Sequence, residues 1–273
     1  MNSFLIVLVL YKQKLYETAS YQSLMAARPV SGVIKLLVYD NSPEPQSIVL
    51  TGDDWFLEYV HDPANPGVGK AYNVAGAMAR NEGYRWLLLM DQDSILPPHL
   101  FDAYSASMKS FPHALVFGPR FFDQRGLLSP FRRGRTSGKR LDKIDPGLYS
   151  LNDLALINSG MLINVTAFHL ANGYDERLPL DFSDIHFLRR LSMISTDLVV
   201  VDLAGKQMHS DQHRTGYQEA LQRFSYYLKA ARVMGDLESA QFSYRLRTLG
   251  RAIKLTMRYR SLRFLHSALT TPV

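Results

Sequence analysis

Two carboxylates separated by one residue, Asp91 and Asp93, follow the apolar run Trp86-Leu87-Leu88-Leu89-Met90, and that spacing is the sharpest chemical signal in the chain. A strand apolar on both faces is central in a sheet. Two acids leaving it this close together repel when both are ionised, and a divalent cation relieves the repulsion while bridging to phosphate oxygens. The alternative is a loop whose acids do no more than face solvent. Strand-end placement favours the metal reading, because ligands of open α/β sheets bind outside the carboxyl ends of the strands.

The same rule picks out Asp40-Asn41-Ser42, a carboxylate and an amide placed to bond a base or ribose, or else a turn held by Asx-type bonds. In Asn65-Pro66-Gly67-Val68-Gly69-Lys70, two glycines open an alanine-rich helix, where backbone approaches an anion and Lys70 would face a diphosphate. The spacing matches neither a Walker nor a dinucleotide fingerprint, and a plain loop-to-helix turn fits it nearly as well. Asn158-Ser159-Gly160 reads as strand whose glycine lets a ligand come close. Asp181, Asp184 and His186 surround the start of a helix near Ser183, with Asp184 in its first turn; acids there are also ordinary partners of the helix dipole. His209 follows a strand by a short loop as a candidate metal ligand, with His213 a weaker one behind it.

Only a sheet can bring these residues together. From residue 4 to about 203, strand-like and helix-like segments alternate, the pattern of a predominantly parallel sheet covered by helices. Strands are expected over residues 4–10, 34–39, 56–60, 85–90, 114–118, 156–163 and 198–202. Between the third and fourth, residues 70–80 carry Ala71, Val74, Ala75 and Met78 at helical spacing, a stripe for the sheet, and stop at Asn81-Glu82-Gly83. Residues 124–147 show no period and hold seven Arg or Lys among Gly, Ser and Pro, which predicts a long, partly mobile loop. After Gly216 the pattern is helical, over 217–234 and 242–266, which divides the chain into a domain over 1–215 and a basic helical extension over 216–273.

Composition narrows the chemistry. With 273 residues and 47% hydrophobic content the chain can bury a sizeable core, so disorder is not expected. Cysteine is absent, which excludes disulfides, a thiol nucleophile and thiolate metal sites, and leaves oxygen and imidazole ligands suited to a hard cation. The run 4–10 has no basic segment ahead of it and reads as a strand, not a signal peptide. No stretch reaches the roughly 18–20 apolar residues that span a bilayer. Residues 241–273 hold seven Arg or Lys and no acid, so of the net charge of +6 the rest of the chain contributes about −1. The basicity belongs to a tail, not to a nucleic-acid-binding body. In that tail Leu246, Leu249, Ile253 and Met257 recur at helical spacing beside Arg247, Arg251, Lys254 and Arg258. A helix over 244–264 suits either an anionic membrane surface or closure of the domain with a basic solvent face.

Taken in order, residues 5–11, Asp40-Asn41-Ser42, Asn65-Pro66-Gly67 through Asn73, residues 87–94, Gly118-Pro119-Arg120, Ser159-Gly160 and Gly173-Tyr174-Asp175-Glu176 through Arg189 resemble the inverting family-two glycosyltransferases of the GT-A fold, most closely their bacterial rhamnosyltransferase-like branch. No piece is specific alone; their order is. The resemblance implies an α/β nucleotide-diphospho-sugar transferase fold, a divalent cation (Mg²⁺ or Mn²⁺), and transfer from a dTDP- or UDP-linked sugar to a saccharide acceptor. It further implies a lipid-linked acceptor at the inner face of a bacterial membrane, in surface polysaccharide synthesis of the lipopolysaccharide O-antigen kind, and no nucleic-acid partner. It assigns Tyr11, Asp40, Asn65, Lys70 and Asp91 to the donor nucleotide, Asp93 and His209 to the metal, Asp184 to the general base, and Ser159, Gly160, Asp181 and His186 to the acceptor side. At His186 the chain departs from the family, where an acid usually stands two residues after the base.

Two other readings compete. In haloacid-dehalogenase-type phosphatases an apolar strand also precedes Asp-x-Asp and the first Asp is a nucleophile, but that motif opens the domain, whereas here it lies on the fourth strand before Ser94-Ile95. A catalytically silent saccharide-binding protein of the same fold is the third reading, suggested by His186.

Overall fold

A computed structural model describes residues 4–27, 34–48, 56–134, 136–208 and 216–270. Strand β1 (Phe4–Leu10) is buried along its whole length, and its side chains alternate between two cores. Leu5, Val7 and Val9 point to one face of the sheet, and Phe4, Ile6, Leu8 and Leu10 to the other. That period of two explains why a doubly covered strand reads as an unbroken apolar run. Helix α1 (Ala19–Ala26) follows β1. β2 (Ile34–Asp40) pairs parallel to β1, and β3 (Phe56–His61) pairs parallel to β2. The chain then returns through helix α2 (Val68–Asn81) to β4 (Trp86–Asp91), parallel to β1 on its other side. The reversal of strand order between β1 and β4 opens a crevice at their carboxyl ends.

Beyond β4 the sheet becomes mixed. β5 (Ser94–Ile95) leads to helix α3 (Leu100–Ser110), and β6 (Val116–Asp123) runs five residues past its expected end and carries β7 (Gly126–Ser129) on its edge. The expected loop over 124–147 is a correction: β8 (Phe131–Arg133) and β9 (Gly138–Arg140) form a hairpin inside it. β10 (Gly147–Ser150) lies at the edge of the main sheet, and β11 (Leu154–Ala155) joins β8 to make a second, three-stranded sheet. β11 joins the hairpin from farther along the chain, and the hairpin's arginines are anchored outside it: Arg140 pairs with Asp123, and Arg133 donates to the Leu151 carbonyl at 2.6 Å. No local period reports such bonds.

The strand expected over 156–163 also shrinks, to β12 (Leu162–Asn164), antiparallel between β4 and β6. Met161 N–H bonds the Asn158 carbonyl at 3.0 Å and Gly160 has φ +74°, so residues 158–161 form a turn. α4 (Val165–Leu170) and α5 (Ser183–Leu191) pack beside α2 on one face of the sheet, with α1 and α3 on the other. β13 (Asp197–Gln207) then runs parallel to β6 and pairs β5 and β10. On α2 the buried stripe is Gly69, Ala71, Tyr72, Ala75, Gly76 and Ala79, rotated from the expected one, with Val74 and Met78 half-buried at its rim.

The chain ends in α6 (Tyr217–Leu237), α7 (Gln241–Tyr259) and α8 (Arg263–Thr270), which share a third core built on Phe224, Tyr227, Tyr244 and Phe264. Leu178 and Phe182, from the loop before α5, are buried in the same core. No helix among the described residues is long and apolar enough to cross a membrane.

Candidate active site at the carboxyl ends of β1, β2 and β4

The ends of β2, β1 and β4 stand side by side, so at about 4.8 Å between strands Asp40 and Asp91 leave the sheet roughly 10 Å apart. Between them the Gln92 amide staples the two loops: its Oε1 accepts from Tyr11 N–H at 2.7 Å and its Nε2 donates to the Tyr11 carbonyl at 3.2 Å. The Tyr11 ring is exposed at this mouth. Asp40 is fully buried and accepts from Ser42 N–H at 2.9 Å, Gln46 Nε2 at 2.8 Å and the Tyr59 hydroxyl at 2.9 Å. Burial alone would lift its carboxyl, but these bonds outweigh it and hold the group below the usual range. Its carboxylate thus shapes the loop over 41–46. The buried Oδ1 of neighbouring Asn41 has no hydrogen-bond partner among the described residues.

Asp91 and Asp93 sit on a turn pinned by three serines. Ser20 Oγ donates to the Ser94 carbonyl at 3.0 Å and to the Asp91 carbonyl, and accepts from Ser94 N–H at 2.9 Å. Ser159 Oγ accepts from Asp91 N–H at 3.1 Å and meets Ser94 Oγ at 2.6 Å. The Asp91 carboxylate accepts from the Tyr72 hydroxyl at 2.8 Å, and that of Asp93 from Gln207 Nε2. Burial raises the Asp91 carboxyl, and burial together with Asp91 pushes Asp93 up to about 7. Two half-buried acids held back from ionisation form the electrostatic setting that a cation inverts, and carboxylate oxygens suit Mg²⁺ or Mn²⁺. Among the described residues no third acid or histidine completes the cluster. His209 and His213 lie outside the described residues; Met208, just before His209, is anchored by its N–H to the Asp93 carbonyl at 2.8 Å.

Asp184 comes from the first turn of α5. Phe182, in the left-handed region at φ +65°, turns the chain into α5, and Asp184 Oδ1 accepts from Ile185 N–H at 2.7 Å. Burial first, then the charges of Asp181 and Asp91, push its carboxyl up to about 6 against that bond. The buried hydroxyls of Tyr72 and Tyr174 feel both Asp91 and Asp184, which places the four groups in one electrostatic neighbourhood. α2 makes this juncture. Asn73 Oδ1 accepts from Tyr174 N–H at 2.7 Å and its Nδ2 donates to the Tyr174 carbonyl at 3.0 Å, while Val68 N–H donates to the Pro179 carbonyl at 2.9 Å. Gly67, at φ +99°, leaves no room for a Cβ, which would lie 2.2 Å from the Pro179 carbonyl oxygen. At Gly69 a Cβ would meet that of Tyr174 at 3.3 Å. The glycines therefore admit the 174–179 loop.

The remaining expected residues scatter. Asn65 lies exposed in the turn ahead of α2, and the Lys70 ammonium is 3.6 Å from Glu176. Ser159, expected on the acceptor side, instead bonds the Asp91 backbone and Ser94. Above Gly160 a Cβ would meet Pro119 at 2.8 Å and Phe121 at 2.9 Å, so protein occupies the space that the sequence reserves for a ligand. Asp181 is bound by Arg223, with Arg251 at 3.6 Å. His186 is half-buried, its Nδ1 has no hydrogen-bond partner among the described residues, and burial, then Arg190, hold it at about 4, so it is neutral at neutral pH. Tyr72, Gln207, Ser20 and Tyr174 were not legible as site residues. Tyr72 alone left a trace, as the one polar-tipped side chain in an alanine stripe.

No protein-family model matches the sequence, and no curated protein sequence matches it. In three dimensions the chain is similar to S. aureus TarS 1-349 in complex with UDP-GlcNAc, with 13% identity, a TM-score of 0.56, and coverage of 99% of this chain and 82% of that one. GalNAc-T7 with UDP, GalNAc and Mn²⁺ gives 11% identity and a TM-score of 0.59 over 89% of this chain and 54% of that one. S. aureus TarS itself gives 14% and 0.53 over 84% of this chain, which spans 39% of TarS. These likenesses show the fold: a GT-A-type α/β architecture with a mostly parallel central sheet.

Proposed function

We propose that this chain is a glycosyltransferase that moves a sugar from a nucleoside-diphosphate donor to a saccharide hydroxyl with inversion. The observation that carries the reading is Asp184, a carboxyl lifted to about 6 within electrostatic reach of Asp91, in a fold whose structural neighbours are described with UDP, UDP-GlcNAc and Mn²⁺. A base titrating near neutral pH is efficient at taking a proton from a hydroxyl. In the step proposed, Asp184 takes the acceptor proton as the acceptor oxygen bonds the anomeric carbon. The bond from that carbon to phosphate oxygen breaks on the opposite side, and its electron pair leaves with the nucleoside diphosphate.

Asp93, with Asp91 beside it, would hold the divalent cation, which when bound offsets the charge of the diphosphate. The loop ordered by Asp40 offers Asn41 to the base or ribose, with Tyr11 and Lys70 as further donor contacts. The donor is a dTDP- or UDP-linked sugar, with dTDP-rhamnose suggested by the sequence resemblance. Asp91 suits a nucleophile poorly, because burial favours its protonated form and Tyr72 occupies its carboxylate.

The reading is tested by measuring nucleoside-diphosphate release and binding across a panel of UDP and dTDP sugars with Mn²⁺ or Mg²⁺. Asp184→Asn should lower turnover by about 10²–10⁴-fold with donor affinity kept. Asp93→Ala should remove the cation's effect on binding and turnover. Undiminished turnover in Asp93→Ala would end the proposal, and donor binding without any release would favour a silent binding protein.

A further inference from the structure

We propose that the outward face of α7 docks on an anionic bilayer. One side of this helix is already occupied: Tyr244, Thr248 and Ala252 are buried in the third core. Two arginines of the expected basic stripe turn inward with them. Arg247 Nε donates to the Tyr227 hydroxyl at 2.9 Å and its guanidinium lies 5.5 Å from the Phe182 ring centre; that of Arg251 lies 4.0 Å from the Tyr227 ring centre. The apolar stripe that the sequence offers for packing points the other way. Phe242 is 73% exposed, Leu246 56%, Ile253 46% and Met257 75%. At intervals of four, seven and four they form one ridge along the helix.

A ridge of large apolar side chains in water marks an interaction surface, and its borders say of what kind. Exposed Arg245 flanks it on one side and exposed Lys254 on the other, Arg260 and Arg263 continue the charge beyond the helix end, and residues 241–273 contain no acid. A second copy of this face would set arginine against arginine with nothing to answer the charge. An anionic leaflet answers both features: the ridge enters the boundary between headgroups and acyl chains, and the bases meet lipid phosphates.

The inner face of α7 gives the docking a consequence. Through Arg251, Arg247 and Tyr244 it holds Asp181 and Phe182, which directly precede α5 and Asp184. The docked face is therefore about one helix diameter, ~10 Å, from the acceptor end of the site. Resting on the glycosyl-transfer reading, this presents the base to an acceptor carried by a lipid.

The test is flotation of the full chain with vesicles of phosphatidylcholine alone or with about 30 mol% phosphatidylglycerol, at low and high salt. Binding to the anionic vesicles should exceed binding to the neutral ones about ten-fold and weaken with salt. Leu246→Ser with Ile253→Ser and Met257→Ser should lose about ten-fold in vesicle binding. Arg245→Glu with Lys254→Glu should do the same, and both variants should keep the melting temperature and the nucleoside-diphosphate affinity of the parent. Absence of binding to anionic vesicles, or undiminished binding by the triple serine variant, overturns the proposal. So does a dimer in light scattering that the serine variant converts to monomer, because a second copy would then cover the ridge. Loss of donor turnover with vesicle binding intact would instead end the transferase reading and leave the docking face standing.

Discussion

Asp93 at about 7 and Asp184 at about 6 keep their protons at a pH where a free carboxyl has lost its own, and this ties the site's chemistry to the protein's stability. A carboxyl raised in the folded state contributes stability that is fully present below its unfolded pKa of about 4 and is lost as pH rises through the folded value. The metal-free protein should therefore melt at progressively lower temperature from pH 5 to pH 8, and Mn²⁺ or Mg²⁺ should reverse the loss at pH 8 by favouring ionised Asp93. Asp93→Asn should flatten the profile and raise the pH 8 melting temperature by about 2–4 °C, the shift that ~1 kcal/mol makes in a large domain. Calorimetry in the presence of a chelator decides it; an Asp93→Asn profile parallel to that of the wild type from pH 5 to 8 would show that Asp93 is not raised. His186, held at about 4 by burial and Arg190, works against this trend between pH 5 and about 6.5, where the unfolded imidazole binds a proton that the folded one refuses, and leaves the profile unaffected only above that range.

At the scale of elements, α2 joins the two halves of the site. Its first turn holds the Pro179 carbonyl through Val68, Asn73 holds Tyr174, and Tyr72 reaches Asp91. Gly67→Ala would place a Cβ 2.2 Å from a backbone oxygen at a φ of +99°, so both the left-handed backbone and the contact resist it. The expected cost is about 1–3 kcal/mol of stability. Because the displaced loop leads to α5, turnover should fall more than donor affinity, measured as a split between kcat and the nucleoside-diphosphate Kd. The alanine-rich character of α2 was plain in the sequence, since small residues at helical spacing announce a helix against a sheet. What its glycines face was not, because a phosphate and a protein loop make the same demand for a missing Cβ.

For the whole molecule, the three C-terminal helices and the site share a core. Leu178 and Phe182, immediately ahead of the proposed base, are buried among residues of α6 to α8, and Asp181 is paired with Arg223. Removing residues 216–273 would expose both apolar side chains and unpair a largely buried acid. A chain ending at 215 should therefore aggregate or melt well below the full chain, and the full chain should unfold in one transition by circular dichroism and by tryptophan fluorescence. Two separate transitions would instead make the helices an independent domain. The sequence by itself determined the sheet, the order of its strands' polar ends and the helix carrying Asp184, because doubly buried strands and amphipathic helices write their burial into a local period. Residues 124–147 lacked that period although they fold, since their hairpin is anchored by β11, Asp123 and Leu151 outside it. On α7 the period was present at Leu246, Leu249, Ile253 and Met257 and left open whether that stripe meets a membrane or closes the domain; the structure buries Tyr244, Thr248 and Ala252 and leaves Leu246, Ile253 and Met257 exposed. Periodicity tells that a helix has faces, but which face turns inward depends on the surface it meets, and only the tertiary structure supplies that surface.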